Sequence, residues 1–75
     1  ILDGDLAIIR QQHTAEDGEI VLALVDEEGA TIKRWRHHGP TVTLQAENPA
    51  HAPVTLPIER VQVQGKVIGL RRDYP

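Results

Sequence analysis

Lys33 is the side chain of this sequence best placed to do chemistry. It lies in residues 30–36, where alternation as a strand puts Thr31 and Trp35 on its face, two positions to either side. Such a lysine either points into solvent or sits half-buried, where apolar and aromatic neighbours disfavour the charged ammonium form. A neutral amine can take a proton from a hydroxyl and act as a general base. The 75 residues contain no serine and no cysteine, so the usual nucleophiles for such a base are absent from them.

Two other groups of side chains are weaker candidates for a site. The four histidines have no common zinc-ligand spacing, and adjacent residues of a strand point to opposite faces, so we predict no metal site. They are His13, His37, His38 and His51. Three acidic pairs fall in predicted turns, where turn geometry and solubility explain them. These pairs are Asp3 with Asp5, Glu16 with Asp17, and Glu27 with Glu28.

The segments around Lys33 predict a β-hairpin. Ile20–Val25 is a continuous apolar run of strand length, predicted to be a central strand covered on both faces. Residues 26–29 end in Gly29, which reaches the positive φ that a tight turn needs. Residues 30–36 then run back along the first strand.

Short β-segments account for the rest of the sequence. Further strands are predicted at residues 6–9, 41–45, 54–58 and 61–70. Gly65 interrupts the last of them and predicts a bulge or a point of close packing. Because no helical period and no repeat is present, we predict an all-β fold, a small, twisted, mostly antiparallel sheet or a partly open β-barrel.

Length and charge limit the function classes. A chain of 75 residues makes one small domain with a limited core. Its formal net charge of −3 and pI of about 5.7 argue against a nucleic-acid-binding surface, since phosphate neutralisation needs clustered Lys and Arg. No stretch approaches the roughly 18 apolar residues of a membrane span. The absence of cysteine fits a cytoplasmic protein, which is the predicted location.

Five motifs in a fixed order carry a resemblance to a known family. They are Asp3-Gly4-Asp5-Leu6, Glu16-Asp17-Gly18-Glu19-Ile20-Val21, Ala30-Thr31-Ile32-Lys33-Arg34, Leu44-Gln45-Ala46-Glu47-Asn48-Pro49 and Gly65-Lys66-Val67-Ile68-Gly69, the last followed by Arg71-Arg72. Together they cover essentially the whole chain. The chain resembles the C-terminal domain of LexA-type repressors, self-cleaving Ser–Lys peptidases that include UmuD-like proteins and phage repressors.

The resemblance implies that Lys33 is the general base of a Ser–Lys dyad. The family's nucleophilic serine lies in a Gly-Asp-Ser-Met-type segment, which would fall just upstream of Ile1. The cleavage site and the DNA-binding domain would lie further upstream. Residues 1–75 would then be a C-terminal peptidase and dimerisation domain truncated at its N-terminus, and this fragment alone would be inactive.

The resemblance also implies partners. A RecA-type recombinase filament would favour the self-cleaving conformation, and operator DNA would be bound only through the absent N-terminal domain. A homodimer would form through the last strand, Val61–Arg72, at an otherwise exposed sheet edge, although the same pattern fits a last core strand. The resemblance implies no cofactor, metal or membrane.

The expected function is therefore that of a repressor of the DNA-damage (SOS) response, which the Glu47-Asn48-Pro49 stretch favours within the family. One alternative is a UmuD-like accessory subunit of a translesion polymerase. The other is a non-enzymatic small β-barrel binding module in which Lys33 is a surface residue.

Overall fold

The structure, a computed structural model, describes residues 5–72, which form one curved sheet of six antiparallel strands. The strands are β1 (Asp5–Gln11), β2 (Ile20–Val25), β3 (Ala30–His38), β4 (Thr41–Gln45), β5 (Val54–Pro57) and β6 (Val61–Arg72), and a 3-10 turn at Ile58–Arg60 leads into β6. Their order across the sheet is β1-β6-β2-β3-β4-β5. The predicted all-β fold is confirmed. No helix within residues 5–72 has the length and apolar character to cross a membrane.

Local turns join β2 to β3, as the sequence predicts, and β3 to β4. In the first turn Gly29 has a φ of 93°, and the Glu28 N–H donates to the Val25 carbonyl at 2.9 Å. In the second, Gly39 has a φ of 58° and precedes Pro40, so two residues connect His38 to its strand partner Thr41. The predicted hairpin that carries Lys33 is therefore present.

The last strand lies between two neighbours in the sheet order, which corrects the expectation of an edge over its first half. Residues 65–72 of β6 pair with β1, and residues 61–66 pair with β2, so the edge strands are β1 and β5. Val61 and Val63 are buried, so the first half of Val61–Arg72 is a core strand. Beyond Lys66, β6 pairs with β1 on one side, and its other side pairs with no strand in residues 5–72.

Gly65 marks both the predicted bulge and a point of close packing. Gly65 lies opposite Leu22 and Val63 opposite Ala23, which leaves Gln64 as the extra residue of a β-bulge. A Cβ at position 65 would overlap the Ile9 side chain and lie 2.8 Å from the Arg10 carbonyl oxygen. Only glycine lets β1 approach β6 here.

The core lies against one face of the sheet only. Its buried side chains are Val21, Ala23, Trp35, Val42, Leu44, Val61 and Val63. The prediction that Ile20–Val25 is covered on both faces is wrong, because Ile20, Leu22 and Leu24 on the opposite face are only half-buried. No second layer packs over that face within the described residues.

An ion pair joins the start of β2 to β6. Lys66 Nζ contacts Glu19 Oε2, and the Glu19 side chain is 16% exposed. The hydrogen bond from Lys66 lowers the pKa of Glu19, and the Glu16 N–H, which donates to Glu19 Oε1 at 2.6 Å, lowers it further. Glu19 therefore stabilises the fold only while it is ionised.

Replacing Glu19 with Gln is expected to cost about 0.5–1 kcal/mol near neutral pH, the range of a partly exposed ion pair. Because the folded-state pKa of Glu19 lies below its unfolded value, its contribution is present above the unfolded value of 4.5 and is lost as the pH falls through the folded value. Urea unfolding should thus show that the difference in unfolding free energy between the parent protein and Glu19→Gln is smaller at acidic pH than at neutral pH. A difference as large in acid as at neutral pH would contradict this assignment, and Glu59→Gln at an exposed position is the control.

Candidate functional site

Lys33 is held on the core side of β3. Its cross-strand partner on β2 is Val21, which is fully buried, and Trp35 on the same face is 4% exposed. Lys33 itself is half-buried. Its Nζ donates to Thr31 Oγ1 at 2.8 Å and to the Ile32 carbonyl at 3.2 Å. The predicted sharing of a face with Thr31 and Trp35 is confirmed, and the side chain does not extend freely into solvent.

Lys33 lines a cleft of about 310 Å³. The polar and charged lining comes from Thr31, Glu28 and Arg60, and the rest of the wall is apolar or small. The apolar and small residues are Val25, Gly29, Ala30, Leu44, Ala52, Val54 and Leu56. The sequence reasoning did not assign these residues to the site, although the alternation of Val54 and Leu56 about Thr55 indicated that those two share a face.

A charged pair fixes one end of this cleft. Arg60 Nε donates to Asp26 Oδ2 at 2.9 Å, Arg60 Nη2 contacts the same oxygen, and the Asp26 N–H donates to the Arg60 carbonyl at 3.1 Å. The hydrogen bond from Arg60 lowers the pKa of Asp26, and the same bond raises the pKa of Arg60. These contacts tie the β2–β3 turn to the 3-10 turn, so the hairpin that carries Lys33 is fixed relative to β6.

The hydrogen bonds of Lys33 leave it able to do base chemistry. A neutral amine has two N–H groups and one lone pair. Thr31 Oγ1 and the Ile32 carbonyl can accept those two N–H groups, and the lone pair is then available to the cleft. If the amine is neutral, this arrangement lets it accept a proton from a hydroxyl or a water that enters the cleft. These 75 residues contain no serine or cysteine, so neither of those nucleophiles comes from them.

Among the other candidate side chains within the described residues, Glu28 alone lines the Lys33 cleft. His13 and His37 border a different cavity, and His51 lies in a third hollow. In residues 5–72, no group of three or more His, Asp or Glu side chains could hold a metal ion. Glu27 and Glu28 lie in the predicted turn, while Asp5 is the first residue of β1 rather than a turn residue. Asp3 and Gly4 of that predicted turn lie outside the described residues.

One comparison with known protein families covers this site. The model of the family described as Peptidase S24-like matches residues 1–68. The matched segment contains Lys33, Thr31 and every residue that lines the cleft. The match thus extends over nearly the whole sheet and all of the candidate site.

Proposed function

This chain belongs to the Peptidase S24-like family, and from that premise we propose that Lys33 is the general base of a Ser–Lys dyad. The family is that of LexA- and UmuD-type autoprotease domains. The observation that carries the proposal is the half-buried Lys33 amine, held by Thr31 in an apolar cleft. The proposed reaction is self-cleavage by a longer protein, in which the serine would lie upstream of Ile1.

The proposed reaction begins when the neutral Lys33 amine takes the proton of the serine hydroxyl. The serine oxygen then attacks the carbonyl carbon of the scissile peptide, and a C–O bond forms. When the C–N bond breaks, the Lys33 ammonium returns its proton to the leaving amine. Water, deprotonated by the same amine, hydrolyses the acyl intermediate and restores the serine.

The apolar wall of the cleft supports this role. Val25, Leu44 and Leu56 line the cleft beside Lys33 with side chains that offer it no competing hydrogen-bond partner. A peptide segment that enters the cleft displaces water from it and strengthens the polar contacts inside. The cleavage segment of the same protein is the proposed occupant.

Thr31 is expected to act as a positioning residue for Lys33. Thr31→Val keeps the shape of the side chain but removes the acceptor that lies 2.8 Å from Lys33 Nζ. The Lys33 amine is then no longer held in its orientation. We expect self-cleavage of the full-length protein to slow by about 10- to 100-fold, the cost of a small misplacement of a catalytic group. Cleavage at alkaline pH, followed by gel electrophoresis, measures this.

Two variants separate positioning by Thr31 from general stability. Thr31→Ser keeps the hydroxyl and should restore most of the rate. Thr55→Val removes a hydroxyl that bonds Thr43 Oγ1 outside the cleft, so cleavage should stay near the parent rate. If Thr31→Val cleaves as fast as Thr55→Val, the positioning role is wrong.

For the whole protein we propose a cytoplasmic transcriptional repressor of the DNA-damage response that cleaves itself when a RecA-type filament is present. Operator DNA would be bound by a domain upstream of residue 1. A UmuD-like polymerase accessory subunit is the alternative within the family. The length of sequence before residue 1 distinguishes the two, because a repressor needs a complete helix-turn-helix domain there and an accessory subunit needs only a short arm.

We also propose that the protein is a homodimer that uses the second half of Val61–Arg72. The support is the edge of β6 beyond Lys66 that pairs with no described strand, together with the exposure of Ile68 and Leu70, each 50% exposed. Sedimentation of the 75-residue chain tests this directly. A monomer at high concentration would count against the proposal.

A further inference from the structure

Arg60 lies at the end of the Lys33 cleft and carries hydrogen-bond donors that the fold does not use. It is the last residue of the 3-10 turn Ile58–Arg60, which connects β5 to β6. It lines the cleft together with Glu28 and Lys33, and its side chain is 46% exposed. The proton transfers proposed above give this residue no role.

Asp26 holds one edge of the Arg60 guanidinium. Nε and Nη2 both donate to Asp26 Oδ2, and the Asp26 N–H donates in return to the Arg60 carbonyl at 3.1 Å. Asp26 has a φ of 48°, a left-handed conformation that aspartate adopts more readily than most residues. Asp26 does not itself line the cleft. The pair therefore forms beside the cleft and orients the guanidinium without filling the cleft.

The other N–H groups of Arg60 remain available to the cleft. A guanidinium carries five N–H groups in a rigid plane, and Asp26 accepts only those of Nε and one of Nη2. Within residues 5–72, no protein atom accepts a hydrogen bond from Nη1 of Arg60. An acceptor that enters this end of the cleft thus meets donors whose orientation is already fixed, which lowers the entropic cost of binding.

The charges around Arg60 favour a neutral acceptor. The hydrogen bond to Asp26 is the main cause of the raised pKa of Arg60, and the charges of Asp26 and Glu28 add to it. Two carboxylates therefore surround one guanidinium at this end of the cleft. A further carboxylate would be repelled by both, whereas a peptide carbonyl accepts a hydrogen bond without adding charge.

The spacing between Lys33 and Arg60 fits an extended peptide. Thr31, which holds the Lys33 amine, lies opposite Ala23 of β2. Arg60 bonds to Asp26, three residues beyond Ala23. Three residues of extended chain span about 10 Å. A segment whose scissile bond lies at the Lys33 amine would thus reach Arg60 within a few residues.

We propose that the Arg60 guanidinium binds a main-chain carbonyl of the cleavage segment, roughly three residues from the scissile bond. This inference rests on the proposed function, because it takes that segment as the occupant of the cleft. The hydrogen bond favours the docked segment over the undocked one, so Arg60 raises the fraction of molecules in which the scissile bond lies at Lys33. Arg60 takes no part in the proton transfer itself.

The test measures self-cleavage of the full-length protein carrying Arg60→Gln across a range of pH. We expect the rate to fall by about tenfold at every pH, the effect of losing one hydrogen bond from a charged donor. The pH at which the rate levels off should move by less than about half a unit, because solvent and salt screen a charge about 10 Å from the amine. A shift of the profile that accounts for the whole loss would overturn the proposal, because Arg60 would then act on the Lys33 amine.

Two further variants separate binding of the segment from a purely structural role. Arg36→Gln makes the same change at a side chain that is 43% exposed and lies 4.0 Å from Asp17, outside the cleft, and it should leave the rate unchanged. Asp26→Asn removes the charge of the partner but keeps the guanidinium, so it should slow cleavage less than Arg60→Gln does. Equal slowing by Asp26→Asn and Arg60→Gln, with both folded by circular dichroism, would overturn the proposal, because Arg60 would then only tie the two turns together.

The Lys33→Ala variant distinguishes failure of this inference from failure of the proposed function. If Lys33→Ala does not cleave but Arg60→Gln cleaves at the parent rate, the binding role of Arg60 is wrong and the role of Lys33 stands. If Lys33→Ala cleaves at the parent rate, the proposed function is wrong and the role of Arg60 is wrong with it.

Discussion

Replacing Lys33 with Ala in the full-length protein is expected to abolish self-cleavage at alkaline pH while leaving DNA binding intact. Loss of the amine removes the group that would accept the serine proton, and general-base catalysis is worth about 10²- to 10⁴-fold. Lys33 lines the cleft from β3, and the substitution removes no member of the buried core. Incubation of the purified protein at alkaline pH, with fragments separated by electrophoresis, measures the rate.

Lys66 supplies the matched control, since it is the other lysine of the chain. Lys66→Ala makes the same chemical change at a partner of Glu19, outside the Lys33 cleft. We expect cleavage near the parent rate with a small loss of stability. Normal cleavage by Lys33→Ala would rule out the Ser–Lys mechanism and favour the non-enzymatic binding module.

Replacing Gly65 with Ala is expected to be the most destabilising single-methyl change in the sheet. The new Cβ would overlap the Ile9 side chain and lie 2.8 Å from the Arg10 carbonyl oxygen, so β1 must move away from β6. Forcing a methyl group into a packed site costs about 1–3 kcal/mol, and backbone contact puts this site at the upper end. Urea denaturation of the purified chain measures the loss.

Gly69→Ala is the matched control on the same strand. Its Cβ would lie 3.5 Å from Ile8 Cδ1, an ordinary contact with the end of a flexible side chain. We expect stability to be unchanged or to rise by up to about 1 kcal/mol, because alanine restricts the unfolded chain. Equal losses of unfolding free energy in Gly65→Ala and Gly69→Ala would show that the close approach of β1 to β6 at Gly65 does not require glycine.

The sequence was sufficient to predict the local parts of this fold. Alternation in residues 30–36 placed Lys33 on the face of Thr31 and Trp35, and Gly29 marked the turn before it. Gly65 indicated the bulge. These features depend on neighbours within a few residues, and backbone sterics with strand periodicity determine them.

The order of the strands could not be predicted in the same way. β1 and β6 lie at opposite ends of the chain and pair because Gly65 and an apolar face bring them together. Alternation alone does not indicate whether a strand lies at an edge or between neighbours, so both interpretations of Val61–Arg72 stayed open; the structure shows a core strand over its first half and an unpaired side beyond Lys66. The continuous apolar run Ile20–Val25 likewise suggested two covered faces, whereas one is half-exposed.

The candidate site was predictable only at its centre. Lys33 stood out because alternation placed it on the face of Trp35, opposite the apolar strand Ile20–Val25. The wall of its cleft comes from β2, β4, β5 and the turns beside them, and Arg60 and Asp26 are separated by 34 residues. Such convergence depends on the tertiary arrangement, which no local pattern encodes.

The most direct test of the general-base role of Lys33 is the pH dependence of self-cleavage by the full-length protein. If the neutral amine is the base, the rate should rise about tenfold per pH unit while the amine is mostly protonated, and level off once it is neutral. Lys33→Ala should lose both the activity and this dependence. A rate that does not change with pH, or a Lys33→Ala variant with the parent profile, would contradict the mechanism.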